Sequence, residues 1–126
     1  MILLDANILL ELALPARPDQ AIVKNWVECV EEQFCISMLT THLVLYFGDK
    51  EGITRTNLRA FLDRYPMQDL VAADYDWAIK AVRGRDYEDA LQVAVAVRTG
   101  CAAIATLGQQ FAHNYRDKIA FELVAG

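Results

Sequence analysis

The stretch 86–111, DYEDALQVAVAVRTGCAAIATLGQQF, limits what this chain can fold into more than any other. From Ala90 to Val97 every residue except Gln92 is apolar. A helix that is apolar around most of its circumference must be covered around most of it. Thr99-Gly100 ends the run, because glycine takes the left-handed C-cap conformation at little cost. Residues 102–105 are too few for a helix and suit a buried strand. The segment therefore predicts an interior helix feeding an interior strand. Glu88 and Asp89 sit in the first turn of that helix. Acids there complement the helix dipole, and Asp86 with Asp89 resembles an imperfect capping box. Placed beside a further carboxylate, the same acids could hold a cation.

Length allows one domain, residues 1–126. At 55% hydrophobic the chain is rich for its size, yet no apolar run approaches the roughly 18–20 residues of a membrane span. The start, Met1-Ile2-Leu3-Leu4-Asp5, has no basic n-region and predicts no signal peptide. Cys29, Cys35 and Cys101 are odd in number and lack metal spacing, so they are expected as buried thiols in a reducing, cytoplasmic setting. A net charge of −5 argues against tight non-specific nucleic-acid binding. It does not exclude an enzyme that grips phosphates through a cation held by its own carboxylates. The apolar fraction also favours a homo-oligomer.

In chain order, Ile2-Leu3-Leu4-Asp5 reads as a central parallel strand with an acid at its carboxyl end. Ligands of open α/β sheets bind outside those ends. Helix capping by Asp5 is the competing explanation. Helices are expected over residues 6–13, 18–33, 37–48 (Thr40 as N-cap, Gly48 as C-cap, with Leu43, Val44, Tyr46 and Phe47 buried), 53–64 and 75–82, the last capped by Asp74. Strands are expected at 34–36, near Leu70-Val71, and at the edge over 119–124; residues 106–111 read as a loop with a single helical turn at most. Glu28, Glu31 and Glu32 form a solvated face, and His42 is better explained by hydrogen bonding than by metal. Arg55, Arg59 and Arg64 are either ordinary surface residues or phosphate contacts. Helices alternating with strands predict a three-layer α/β/α domain with a mostly parallel sheet. A phospho-acceptor receiver domain would also end a strand in an acid. It expects an acid pair early in the chain and a lysine after a late strand, and neither is present.

Four segments, MILLDANILL, SMLTTHLVLYF, DYEDALQVAVAV and AAIATLGQQF, in this order and spacing, resemble the PIN-domain family over almost the whole chain. Within it the chain is most similar to VapC-type toxin nucleases, also known as PilT N-terminus-like proteins. The resemblance implies a Mg²⁺- or Mn²⁺-dependent endoribonuclease acting on RNA, a cognate antitoxin and a homodimer. Asp5 matches the first metal-binding acid and Asp89 the acid of the buried helix, with Glu88 beside it. Asn7 and Thr106 are accessory, and Arg55 and Arg59 are candidate substrate contacts.

The match is incomplete. Leu43 stands where the family has a glutamate, and Gly108 and Gln110 stand where it has acids after the last central strand. Glu88, Thr106, Asn7 or Asp117 are the residues that could compensate. Two readings follow: a ribonuclease toxin of reduced activity held by Asp5 and Asp89, or a PIN fold without catalysis that binds RNA or protein. In the second, helices 40–47 and 53–64 supply the contact surface.

Overall fold

A computed structural model describes residues 1–124. Five strands, β1 (Ile2–Leu4), β2 (Phe34–Ser37), β3 (Met67–Gln68), β4 (Ala103–Thr106) and β5 (Ala120–Leu123), form one all-parallel sheet in the order β3-β2-β1-β4-β5. Seven helices connect them: α1 (Ala6–Ala13), α2 (Gln20–Cys29), α3 (Met38–Lys50), α4 (Arg55–Leu62), α5 (Ala72–Ala81), α6 (Tyr87–Arg98) and α7 (Gln109–Tyr115).

Strand alternation divides the helices between the two faces. Ile2, Leu4, Ile36, Ala103 and Ala105 pack against Ile8, Leu9, Val23, Val44, Leu58 and Leu62 of α1–α4. Leu3, Cys35 and Ile104, the intervening residues, pack against Ala78, Ala90, Val93, Phe111 and Tyr115 of α5–α7. The expected three-layer α/β/α arrangement is therefore present, and α6 is buried from Ala90 to Ala96. Gly100, at φ +71°, follows its last turn as expected.

The chain order reverses at β1. Its crossover to β2 runs to one side, and β4 then pairs with its other edge. In open α/β sheets this switch point opens a crevice at the carboxyl ends of the two strands. Those ends carry Asp5 and Thr106.

Several elements differ from expectation. α2 stops at Cys29, with Val30 as its C-cap, so Cys29 is exposed rather than buried. Ser37 caps α3, its hydroxyl accepting from Leu39 N at 3.1 Å, while Thr40 lies within the helix and donates to Ser37 O. α3 runs on to Lys50. Gly48 lies inside it because a Cβ there would fall 2.5 Å from Leu58 Cδ2, so the missing side chain is what lets α4 seat. Tyr46 and Phe47 are exposed. The third strand forms at Met67–Gln68, where the backbone reaches β2, and Leu70 is exposed. Asp74 is not the cap of α5; it is its third residue, and its carboxylate accepts from Val71 N. Residues 109–115 form a helix buried through Phe111 and Tyr115. No helix among the described residues is long and apolar enough to cross a membrane.

Candidate active site

Asp5 follows β1 on the parity of Leu3, and Thr106 ends β4 on the parity of Ile104, so both belong to the face covered by α6. Asp5 is only 8% exposed. One carboxylate oxygen accepts from Ala6 N at 2.8 Å, which caps α1. The other accepts from the Thr106 hydroxyl at 2.7 Å. Asp5 is thus a helix cap through one oxygen, while the other is held by Thr106 at the strand end. The Thr106 hydroxyl in turn accepts from Asn7 Nδ2 at 3.2 Å and Gly108 N at 2.9 Å. Asn7 Oδ1 accepts from Leu107 N at 3.2 Å. These bonds tie the start of α1 to the end of β4 and fix the orientation of Asp5.

Asp89 approaches from α6. Asp86 caps that helix, accepting from Glu88 N at 3.0 Å and Asp89 N at 3.4 Å. The half-buried Asp89 carboxyl is pushed up to about 7, first by loss of solvent, then by the charges of Asp86, Asp5 and Glu88. Burial also raises Asp5, and Asp86 adds to this, while Thr106, Ala6 and Gln92 favour its ionised form. Asp5 and Asp89 are therefore near enough for the charge of Asp5 to raise Asp89. Glu88 is exposed and acts on Asp89 as a neighbouring charge.

Gln92 is the residue that sequence reasoning passed over as a mere interruption of an apolar run. It lies one turn beyond Asp89 on the same helical face. It is 3% exposed, and its Oε1 is buried without a partner. The spacing from Asp89, three residues along a helix with no other polar residue in its interior, was the signal available.

Other candidates lie elsewhere. Asp117 pairs with Arg83, Oδ2 accepting from Nη2 at 3.0 Å, and does not compensate for the missing acids. Arg55 and Arg59 border a separate groove of about 410 Å³ with Met38, Leu45, Leu62 and Met67. His42 is exposed and stacks on Tyr46. Leu43 is half-buried in α3. Gly108 adjoins the Asp5 cluster: a Cβ there would sit 3.4 Å from Thr106 Oγ1 and 3.8 Å from Asn7 Nδ2, ordinary contact distances.

The donors decide what ion these residues fit. Among the described residues no three His, Cys, Asp or Glu side chains converge as a metal-holding group. Asp5 and Asp89 with one neutral amide oxygen suit a single hard cation that keeps most of its waters. They do not suit a two-metal clamp.

An all-parallel α/β domain with an acidic cleft at its switch point defines the class. The chain belongs to the PIN domain family, whose model matches residues 2–117. A toxin–antitoxin complex from Klebsiella pneumoniae has a similar chain, with TM-score 0.80 and 17% identity, covering 99% of this chain and 98% of that one. VapC20 of Mycobacterium tuberculosis, described as a sarcin–ricin loop cleaving toxin, is similar at TM-score 0.76 and 14% identity, over 90% and 94%. VapBC2 from Rickettsia felis, bound to a DNA fragment from its promoter, is similar at TM-score 0.72 and 19% identity, over 99% and 100%. At such identities the likeness is one of fold. No curated protein sequence matches the chain.

Proposed function

We propose that this protein is a VapC-type toxin ribonuclease, dependent on Mg²⁺ or Mn²⁺, with its site reduced to Asp5 and Asp89. The observation that supports the reading is the pair of carboxylates near the switch point: the charge of Asp5 raises Asp89, and among the described residues neither acid has an ion-pair partner. A divalent ion, when bound, would polarise a phosphodiester and lower the pKa of a water. The chain's own residues supply the setting. Thr106 and Ala6 hold the Asp5 carboxylate in one orientation with a lone pair left on each oxygen. Asp89, raised by burial and like charge in the metal-free protein, favours the ionised form once a cation offsets those charges. The exposed Met38, Tyr46, Phe47 and Met67 around α3 offer a surface for an antitoxin or a second copy of the chain, in keeping with the toxin–antitoxin assemblies among similar structures.

The test is cleavage of a structured RNA with Mn²⁺ and with a chelator. Wild type should cut only with metal, and Asp5→Ala and Asp89→Ala should each lose at least about a hundredfold. The missing three-acid group supports a second reading, a PIN fold that binds RNA or protein without cutting. That reading takes over if wild type is inert and the Leu43→Glu/Gly108→Asp double variant cuts.

A further inference from the structure

A buried acceptor without a partner keeps the full penalty of its lost solvation. Gln92 Oε1 is such an acceptor, set in a helix whose neighbours Leu91, Val93, Ala94 and Val95 are all buried and apolar. A leucine at this position would remove the penalty and suit those surroundings. An unsatisfied group in a packed core calls for an explanation, and an ion bound beside it is one. Two observations place such an ion in the acidic cleft. Gln92 shares a helical face with Asp89, and its side chain is near enough to Asp5 to favour that carboxylate's ionised form. An amide oxygen is a good neutral ligand for a hard cation.

We propose that Gln92 Oε1 is the third protein oxygen of the cation site, joining Asp5 and Asp89 in place of the acids absent at Leu43 and Gly108. The assignment rests on reading that cleft as a cation site. It gives the chain a site with two negative charges where the resemblance expects more. It therefore favours one loosely held ion that exchanges readily with solvent.

Calorimetric titration of MnCl₂ into the whole chain at pH 8 tests this, with Gln92→Leu, Gln92→Met and Gln92→Glu beside wild type. The neutral apolar variants should bind Mn²⁺ about tenfold more weakly, and Gln92→Glu at least as tightly as wild type. Paramagnetic relaxation of water protons should show one more water on the ion in Gln92→Met than in wild type, a change that a purely structural role would not produce. Methionine keeps the unbranched shape if leucine disturbs packing. Unchanged affinity and hydration in a folded Gln92→Met would overturn the assignment while leaving the cleft a cation site. Absence of Mn²⁺ binding by wild type would overturn both.

Discussion

Asp74 and Asp5 are both buried carboxylates in the first turn or cap of a helix, and the chain compensates them in opposite ways. Asp74 is 1% exposed. It accepts from Arg98 Nε at 2.8 Å, Arg98 Nη2 at 3.1 Å and Val71 N at 2.9 Å. The same guanidinium reaches the Asp69 carbonyl at 2.6 Å, so α5, α6 and the segment before α5 are tied by one cation. Glu11 follows the same pattern on a smaller scale, with Arg17 Nε 3.5 Å away. Asp5 has hydrogen bonds but, among the described residues, no ion-pair partner; Asp86 raises it, and its own charge raises Asp89. Where this chain buries an acid for structure, it supplies the counter-charge. Among the described residues neither Asp5 nor Asp89 has one, and under the proposed function a diffusible ion would be the complement.

The comparison can be broken at either end. Arg98→Ala should have the largest effect on stability, about 3 kcal/mol in denaturant unfolding, since it leaves Asp74 buried and unpaired. Added Mn²⁺ should not restore it. Asp89→Asn should do the reverse. Because burial and like charge raise the Asp89 pKa to about 7, the protonated form is favoured by folding. Its stabilisation is complete below the unfolded carboxylate value and is lost as pH rises from about 4 through about 7. Removing this charge should therefore stabilise the metal-free protein at pH 8, by roughly 2 kcal/mol after allowance for partial exposure, and flatten its pH profile. Gly108→Asp should tighten Mn²⁺ about tenfold by calorimetry, because a side chain there starts in ordinary contact with Thr106 and Asn7 and adds a third carboxylate beside Asp5. Arg59→Ala is the small control: its pair with Asp63 is exposed on both sides, and stability should change by less than about 0.5 kcal/mol.

The parts of this fold that were readable in the sequence are those where period and punctuation agree. The run Ala90–Val97 with Gly100, and Ile2–Leu4 ending in Asp5, have one sensible burial pattern each, and the sheet centre follows from them. α7 was missed because Gly108 offers no side-chain cap and Gln109-Gln110 look like loop; its only signal was Phe111 and Tyr115 one turn apart. β3 is two residues long at a sheet edge, where pairing with Ile36 and Ser37, not local pattern, decides its place. Thr40 reads as a cap only if Ser37 belongs to the helix, whereas Ser37 ends β2 and caps α3 itself. At the site, the strand-end acid and the acid of the buried helix were legible as positions. The hydrogen bonds joining Asp5, Thr106 and Asn7 span about 100 residues of sequence, and no local pattern encodes them. The same holds for the unpartnered oxygen of Gln92.

The most direct measurement is a carbon-detected NMR titration of the Asp89 side-chain carboxyl, with and without Mg²⁺. The account predicts a midpoint near 7 in the metal-free protein, moving downward when Mg²⁺ is added, and moving downward also in Asp5→Asn. An ordinary carboxylate midpoint that neither Mg²⁺ nor Asp5→Asn alters would contradict it.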